Sequence, residues 1–374
     1  MLRRGPAARP KPEAMKTTTR ASTTKPLTQA STAKPLLAFE LSGEHEILPE
    51  SEVLACMRAL DIEHNFVKSL EQCLLLKISG DPFEISKRLS TRLAMTHHIV
   101  SVVIKCDTLP ASILESVRAA EITVPGGETF SVRVKQIQGS FVQSTRMERL
   151  IGEVIFERNS GAKVDLSNPD HRFRVIVTKD SCVFGEVLAS IDRRQFWDRL
   201  PHKKPFFYPG AISPDMARAI VNLCEIRTND LVLDPFCGTG GILLEAGMIR
   251  ARVLGIDAQE SMVRGADMNL RSHGFEYQLA SGDACNLPLK DGSVDAVVTD
   301  PPYGRSAVVR AESIESLYKN ALPEIYRVMK VGGHAVVISD FELLCADEIG
   351  FVVTGLYKNR VHRSLTRYIL VLRK

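Results

Sequence analysis

The tetrad Asp300-Pro301-Pro302-Tyr303 is the part of the sequence whose residue types point most directly to chemistry, and it follows an apolar run at 296–299. Proline has no N–H, so the two prolines leave rigidly held carbonyl acceptors, and Asp300 adds a carboxylate acceptor. A site that only accepts hydrogen bonds suits an exocyclic amine of a nucleobase. The alternative interpretation is a structural Pro-Pro turn.

An amine of this kind is a poor nucleophile because its lone pair is delocalised into the ring. Acceptors for its hydrogens stabilise the positive charge that develops as the amine attacks an electrophile. Tyr303 adds a flat face on which a base extruded from its helix can stack. The tetrad therefore predicts transfer of a group to a base amine.

A second candidate site is the turn 234–241, Asp-Pro-Phe-Cys-Gly-Thr-Gly-Gly, which follows the strand-like run at 231–233. Gly238 and Gly240 allow the backbone to approach a ligand closely. The turn is not a Walker A loop, because no Gly-Lys-Ser/Thr follows it, and Leu243 occupies the third glycine position of a G-x-G-x-x-G motif. We therefore expect a nucleoside with a cationic end in preference to a pyrophosphate.

Three aspartates, Asp234, Asp257 and Asp283, come at the ends of successive predicted strands. In an open α/β sheet, ligands bind at the carboxyl ends of the strands. Asp257 has the spacing from Asp234 of a carboxylate that accepts ribose hydroxyls, and Asp283 with Ala284 can reach an adenine amine. S-adenosylmethionine, with its ammonium, sulfonium and ribose diol, fits this set. For any one acid, the alternative is a helix N-cap.

Both sites depend on an alternation of strands and helices that begins near residue 212. Hydrophobic periodicity predicts helices over 214–225, 242–250, 259–272 and 314–329, and strands at 231–233, 253–256, 276–280, 294–299, 334–338, 352–358 and 366–372. Seven strands with intervening helices indicate a doubly wound, mostly parallel, Rossmann-like sheet over residues 212–374.

The N-terminal half is predicted to contain two further α/β modules. Residues 35–107 show the β-α-β-β-α-β order of a ferredoxin-like module, with helices over 50–60 and 82–95. Residues 108–190 form a second module with strands at 129–135, 163–166 and 172–177 and a helix over 145–157.

Basic residues occupy alternate strand positions twice in the second module, at Arg133 and Lys135 and again at Arg172 and Arg174. Since side chains alternate across a strand, each pair lies on one face. These four residues are candidates for contact with phosphates. The alternative is a solvated strand face.

Residues 191–211 form a predicted linker. Its stretch 192–204 carries five Lys or Arg, one His and the single Trp of the chain. A basic run with an aromatic residue can contact nucleic acid, and Arg193 and Lys203 are candidate contacts. The alternative, which does not exclude the first, is an interdomain hinge whose Trp197 packs into a domain.

Composition and charge exclude several classes of protein. The 374 residues carry a net charge of +4, but eight Lys or Arg against one Glu fall within residues 1–34, so the rest is slightly acidic. A globally basic nucleic-acid binder is excluded for the folded part. No run approaches the roughly 18 apolar residues of a membrane helix. The eight cysteines are scattered and no HExxH motif occurs, so we expect neither a disulfide scaffold nor a metal site.

Residues 1–34 are rich in Thr, Ser, Pro and Ala and hold few large apolar side chains. Such a segment cannot offset its ordering entropy, and we expect a disordered basic tail. Its composition also resembles a mitochondrial transit peptide, although the prolines disfavour the amphipathic helix that such a peptide needs. Met15 is an alternative start. For the chain as a whole we expect a cytoplasmic location.

Taken together, these motifs resemble those of class I methyltransferases that modify amines. The resemblance extends to the archaeal tRNA guanosine-10 N2-methyltransferases and covers residues 36–374, with matching segments at 41–46, 205–211, 234–241, 300–304 and 361–367. Segments 132–135 and 164–170 resemble a THUMP domain, which is an RNA-binding module.

The resemblance implies methyl transfer from S-adenosylmethionine to the N2 amine of a guanosine in tRNA, at position 10, with N2-methyl and N2,N2-dimethyl products. It implies that the N-terminal modules hold the tRNA by its acceptor end and that Tyr208 and Pro209 help to close over the cofactor. The guanine identity comes from the resemblance alone, since the tetrad also fits adenine and cytosine amines.

In this interpretation Asp300 accepts a hydrogen bond from the target amine and can also take its proton, the Pro301 carbonyl accepts the second N–H, and Tyr303 stacks the base beside Pro302. The expected cofactor contacts are Tyr208, Pro209, Asp234, Phe236, Cys237, Gly238, Gly240, Asp257, Asp283 and Ala284.

Two rival functions stay open at this point. One is methylation of rRNA or DNA amines by the same catalytic domain, and the RNA-type N-terminal half argues against DNA. The other is a non-catalytic RNA-binding partner with a decayed methyltransferase fold, against which the intact acids and tetrad argue. We expect a monomer without membrane contact, and the sequence leaves an accessory subunit open.

Overall fold

The computed structural model describes residues 3–4, 34–137, 142–303, 313–343, 346–363 and 365–374. The predicted disordered tail therefore lies almost wholly outside the described residues. Arg3–Arg4 forms a two-residue strand, β1, which pairs antiparallel with a strand at 277–281. Within the described residues the chain builds two large sheets, one from each half.

The N-terminal sheet has eight strands in the order β3-β4-β2-β5-β9-β8-β6-β7. Its strands are β2 (Leu36–Leu41), β3 (His64–Leu70), β4 (Cys73–Ile78), β5 (Thr96–Cys106), β6 (Thr129–Gln136), β7 (Lys163–Val164), β8 (His171–Val177) and β9 (Cys182–Ser190). The helices of this half are α1 (Leu48–Ala59), α2 (Pro82–Ser90), α3 (Pro110–Ala119) and α4 (Ser144–Arg158).

The two N-terminal modules share this single sheet. Strand β5 pairs with β2 on one side and with β9 on the other, so the sheet continues across the boundary expected at 107/108. Strand β9 is absent from the sequence-based prediction. Strand β7 is shorter than expected because the Asp165 carboxylate accepts hydrogen bonds from the N–H groups of Ser167 at 2.8 Å and Asn168 at 3.1 Å, which forms a turn.

Helices α1 to α4 cover one face of the N-terminal sheet. Alternate strand residues such as Phe39 and Val175 pack under them, while Val100 and Ile176 belong to an apolar cluster on the opposite face. In the parallel pairing of β6 with β8, Arg133 lies opposite Arg174. The predicted basic pairs therefore share the face that these four helices leave uncovered.

The C-terminal sheet confirms the predicted seven-stranded, mostly parallel arrangement. Its strands are β10 (Leu231–Asp234), β11 (Arg252–Asp257), β12 (Tyr277–Ser281), β13 (Val294–Thr299), β14 (Met329–Ser339), β15 (Val352–His362) and β16 (Leu365–Arg373), in the order β12-β11-β10-β13-β14-β16-β15 with β1 beside β12. Only β16 runs antiparallel to its neighbours among these seven described strands.

Helices flank this sheet, and a linker precedes it. The linker contains α5 (Arg194–Trp197) and a 3₁₀ turn at Pro201–Lys203. The helices of the C-terminal half are α6 (Pro214–Leu223), α7 (Gly241–Met248), α8 (Glu260–Leu270), α9 (Ile314–Val328) and α10 (Ala346–Ile349). The strand order reverses between β10 and β13, so their carboxyl ends flank a crevice of the kind in which α/β sheets bind ligands.

The linker is fastened to the C-terminal half by Phe196 and not by Trp197. The Phe196 ring is 2% exposed and lies 5.2 Å from the guanidinium of Arg199 and 5.7 Å from that of Arg218. Trp197 is 60% exposed, so the alternative in which it packs into a domain is wrong. Successive side chains of a helix point about 100° apart, so Trp197 is directed to solvent when Phe196 points inward.

Buried polar contacts join the two halves. The Glu52 carboxylate on α1 accepts hydrogen bonds from the N–H groups of Ala94 at 2.9 Å and Met95 at 2.8 Å, and from the Asn222 amide on α6 at 2.8 Å. Glu52 and Asn222 are both fully buried. Such a satisfied network specifies one packing arrangement, and it holds the N-terminal sheet at a set position relative to the C-terminal crevice.

Candidate active site

A cavity of about 1080 Å³ opens at the carboxyl ends of the C-terminal strands. It is lined by nine of the ten predicted cofactor residues and by the whole tetrad: Tyr208, Pro209, Asp234, Phe236, Cys237, Gly238, Asp257, Asp283, Ala284, Asp300, Pro301, Pro302 and Tyr303. The turn 234–241, which was predicted to bind the cofactor, and the tetrad 300–303, which was predicted to hold the target amine, thus line the same cavity.

Gly240 is the predicted cofactor residue that does not line the cavity. It caps α7 with φ of 76°, and a side chain there would approach the Cβ of Ala266 to 3.2 Å. Its role is to let the turn close against α8. Gly238, with φ of 48°, does face the cavity, and its N–H donates to the Asp257 carboxylate at 2.9 Å.

Asp257 is held by two backbone N–H groups, one to each oxygen. Gly238 donates to Oδ2 at 2.9 Å and Gln259 donates to Oδ1 at 2.8 Å. A carboxylate has about four acceptor positions, so two stay available toward the cavity. Burial raises the pKa of Asp257, and the two N–H donors oppose that effect. This arrangement fits a ribose diol.

Asp283 also lines the cavity, in the loop that follows β12. Its Oδ1 accepts a hydrogen bond from the N–H of Cys285 at 2.9 Å, which fixes the loop, and the side chain itself is exposed. The neighbouring Ala284 is buried and presents a small apolar surface to the cavity. A flat ring fits against such a surface, with an acceptor at its edge.

Asp234 is the most deeply buried acid of the cavity, at 1% exposure. Its Oδ1 accepts hydrogen bonds from the Thr299 hydroxyl at 2.7 Å and from the N–H of Phe236 at 3.1 Å. Burial and, to a smaller extent, the charges of Asp300 and Asp257 raise its pKa to about 7, while the hydrogen bonds from Thr299 and Phe236 oppose that rise. In the described part of the chain no cationic side chain pairs with it. This carboxylate therefore fits a ligand that carries a cationic group, such as the ammonium of S-adenosylmethionine.

Replacing Asp257 with Ala is expected to weaken the binding of S-adenosylmethionine about tenfold, because the ribose loses its charged acceptor. Isothermal titration of the purified protein measures the effect. Asp283→Ala is the matched comparison, with a smaller expected loss because that side chain is solvated. An unchanged affinity in Asp257→Ala would remove the diol contact from the account.

Asp300 lies in a small network with Tyr303 and Arg367. The Tyr303 hydroxyl donates to Oδ1 of Asp300 and accepts a hydrogen bond from Nε of Arg367 at 3.2 Å. The Arg367 Nη2 lies 3.8 Å from Oδ2 of Asp300 and donates to the Gly210 carbonyl at 3.1 Å. Burial raises the pKa of Asp300 to about 6, while the Arg367 charge opposes that rise. The carboxylate is thus an acceptor that ionises near neutral pH.

The sequence-based site did not include Arg367, although it closes the recognised segment 361–367. Arg367 is only 8% exposed, and it lines the cavity together with Asp340 and His362, two further residues outside the prediction. A charged residue two positions before the apolar run 369–372 of β16 is the signal that could have identified Arg367, because a charge buried at the end of a strand requires a partner.

The predicted RNA contacts lie elsewhere, on the N-terminal sheet and the linker. Arg172 is exposed and donates to the Ser190 hydroxyl at 3.1 Å. Arg133 is also exposed; it donates to the Leu166 carbonyl at 3.2 Å and lies 3.6 Å from the Glu148 carboxylate. Lys135 on the same strand is half-buried.

Two further predicted RNA contacts, Arg174 and Arg193, form short ion pairs with acidic side chains of the protein. Arg174 donates to both oxygens of the buried Glu40 carboxylate, at 2.6 and 2.7 Å. Arg193 donates to Glu44 at 2.6 Å and to Asp215 at 3.2 Å, which joins the N-terminal half to α6. Lys203 forms only an exposed pair with Asp198 at 3.7 Å, a contact that a phosphate can replace.

Comparison with known families matches both halves of the chain. Residues 201–368 match the family described as an RMKL-like methyltransferase domain, and residues 111–185 match the THUMP domain family. Within the described residues no helix is long and apolar enough to cross a membrane.

Two known proteins are similar over about nine-tenths of the chain. A tRNA (guanine(10)-N2)-dimethyltransferase of Methanothermobacter thermautotrophicus is 36% identical, over 89% of this chain and 98% of that protein. A protein of the same name from Methanocaldococcus jannaschii is 31% identical, over 91% of this chain and 100% of that protein. Among solved structures, TrmN from Thermus thermophilus has a TM-score of 0.55 at 21% identity, covering 91% of this chain and 99% of that chain, which shows a shared fold.

Proposed function

The chain belongs to the tRNA (guanine(10)-N2)-dimethyltransferase family, and we propose that it transfers methyl groups from S-adenosylmethionine to the N2 amine of guanosine 10 in tRNA. The observation that carries this proposal is one cavity that joins three cofactor-type acids to the loop holding the Asp300 carboxylate and the proline carbonyls, which are hydrogen-bond acceptors. We further propose that the enzyme acts in the cytoplasm, since the described cysteines are free thiols, which suits a reducing compartment.

The cofactor, when bound, supplies an electrophilic methyl group on a sulfonium. Asp234 would hold its ammonium and Asp257 its ribose hydroxyls, each through acceptors that already face the cavity. Asp283 and Ala284 would meet the adenine. These residues bind and orient the cofactor, and none of them takes part in forming the new bond to the methyl group.

Asp300 and the Pro301 carbonyl do the chemistry on the substrate side. Asp300 accepts a hydrogen bond from the target amine and takes its proton as positive charge develops, which its raised pKa of about 6 permits. The Pro301 carbonyl accepts from the second N–H, and Tyr303 and Pro302 line the space for the base. After one transfer a single N–H is left, and Asp300 can still accept it, which supports a second methylation.

The direct test is incubation of the protein with an unmodified tRNA transcript and labelled cofactor, followed by mapping of the modified nucleoside. We expect N2-methylguanosine and N2,N2-dimethylguanosine at position 10. A tRNA carrying adenosine at that position should take up no label. Label in rRNA but not in tRNA would favour the rival rRNA substrate.

The basic side chains on the face of the N-terminal sheet opposite helices α1 to α4 are proposed to contact the tRNA backbone. Charge reversal by Arg172→Glu is expected to weaken tRNA binding and to lower the slope of log affinity against log salt by about 1, because a phosphate contact is lost. Arg133→Glu should behave alike. Binding titrations at several salt concentrations measure this slope.

Arg149→Glu is the matched control for these variants. Arg149 lies on α4, at the helix-covered side of the sheet, and forms only an exposed pair with Glu153 at 3.6 Å. Its reversal makes the same change in charge away from the proposed surface. Equal salt slopes for Arg172→Glu and Arg149→Glu would count against the sheet as the tRNA contact.

A further inference from the structure

Asp340 is an acidic residue of the cavity to which the proposed mechanism gives no role. It directly follows β14, the strand that pairs in parallel with β13, and Thr299 lies opposite Val337 in that pairing. Asp300 therefore lies beside Ile338, and Asp340 is two residues farther along the neighbouring strand. Since paired strands are about 4.8 Å apart, the two acids come from adjacent strand ends at the mouth of one crevice.

The two carboxylates also share a neighbour. Tyr318 on α9 donates its hydroxyl to the Ile338 carbonyl at 2.9 Å. Its pKa is raised, first by burial and then by the negative charges of Asp300 and Asp340. Both carboxylates therefore influence one buried hydroxyl electrostatically, which agrees with the strand register.

Asp340 is half-buried and lines the cavity. Among the described residues it forms no hydrogen bond and no ion pair, in contrast to Asp234, Asp257, Asp283 and Asp300. A carboxyl group in such a place has oxygens that are free to accept hydrogen bonds from a ligand.

The nucleobases differ at the position where this second acceptor would act. Guanine carries an N1–H donor next to its N2 amine, whereas adenine and cytosine carry an unprotonated ring nitrogen next to theirs. Two neighbouring acceptors therefore match guanine, while a carboxylate facing a ring-nitrogen lone pair is repelled. A flipped base is commonly read in this way at its Watson–Crick edge.

We propose that Asp340 determines the specificity for guanine by accepting the N1–H, while Asp300 and the Pro301 carbonyl accept the N2 hydrogens. This inference rests on the proposed function. It supplies what the tetrad lacks, since the tetrad alone fits the amine of any of the three bases.

The sharpest probe is a tRNA with 2-aminoadenosine at position 10. This base keeps the exocyclic 2-amine but has no hydrogen on N1. For the wild-type enzyme we expect kcat/KM for this tRNA to be at least about tenfold below that for guanosine-10 tRNA. Equal values would overturn the inference without any variant being needed.

The matched variant is Asp340→Asn, because an amide can accept from N1–H through its oxygen or donate to a bare N1 through its nitrogen. We expect the preference for guanosine over 2-aminoadenosine to fall about tenfold or more, with affinity for S-adenosylmethionine unchanged. Asp340→Ser serves in its place if the asparagine variant does not fold. A preference that equals the wild-type value would refute the role of Asp340.

Glu342→Gln is the control, since Glu342 is exposed, pairs with Lys358 at 3.7 Å and does not line the cavity. This variant should keep the wild-type preference. The two proposals fail in different ways. If the wild type does not methylate guanosine-10 tRNA, the proposed function is wrong; if it does so but Asp340→Asn discriminates as before, only the present inference is wrong.

Discussion

Replacing Asp300 with Ala is expected to lower kcat for methyl transfer by about a thousandfold or more, while affinity for S-adenosylmethionine stays within about twofold. In the proposed mechanism the carboxylate acts mainly when positive charge develops on the amine, so its loss should affect the transition state far more than the ground state. Single-turnover assays with labelled cofactor measure the first quantity, and calorimetric titration measures the second.

Asp300→Asn separates the two functions of this side chain. An amide oxygen still accepts a hydrogen bond but is a very weak base, so an intermediate rate would indicate that acceptance contributes beside proton removal. Turnover near the wild-type rate in Asp300→Ala would remove Asp300 from the mechanism. Loss of cofactor binding in step with activity would instead assign it to the cofactor site.

The second large effect is expected for Arg367→Gln, with kcat about a hundredfold lower at pH 7. Arg367 positions Asp300 through Tyr303 and ties both to Gly210 of the linker. Its positive charge also opposes the rise that burial causes in the pKa of Asp300. Without that charge the pKa of Asp300 rises above about 6, and the carboxylate becomes protonated at neutral pH.

The sign of the pH dependence follows from the form that reacts. Since the proposed mechanism requires ionised Asp300, wild-type kcat should rise through about pH 6 and then level off. In Arg367→Gln that rise moves to higher pH, so part of the loss is recovered in alkaline solution. Arg367→Lys keeps the charge and should keep the acid limb near its wild-type position.

Three other residues with titratable side chains, Asp234, Asp340 and His362, line the same cavity, and the Tyr303 hydroxyl donates to Asp300. The charge of Asp300 also influences the Tyr318 hydroxyl. Measuring kcat at saturating cofactor reduces the contribution of Asp234, because a bound ammonium favours its ionised form. An acid limb that stays in place in Arg367→Gln, with only the plateau lowered, would limit Arg367 to a structural role.

The C-terminal sheet was predictable because its strands are short apolar runs between helices with clear periodicity. Val294–Thr299 was predicted to the residue. The continuous N-terminal sheet was not, since it depends on β9, whose Cys182–Ser190 pairs with β5 about 80 residues earlier. Pairing over that separation leaves no local pattern in the sequence.

The same distinction applies to the site. The aspartates at strand ends could be predicted, because each directly follows its own strand and parallel strands end at one edge. Arg367 and Asp340 enter the cavity through the order of β14, β16 and β15, which local periodicity does not encode. The partner of Arg174, Glu40, likewise comes from a strand far away in the sequence.

We expect the tetrad 300–303 to face the methyl group of the bound cofactor across one cavity. A crystal structure with S-adenosylmethionine tests it most directly. We expect the methyl carbon about 5 Å from the Asp300 carboxylate, because an amine nitrogen about 3 Å from each directs its lone pair and its N–H at roughly 105° to one another. A cofactor bound outside the turn 234–241, or with its methyl group directed away from Asp300 and Pro301, would contradict it.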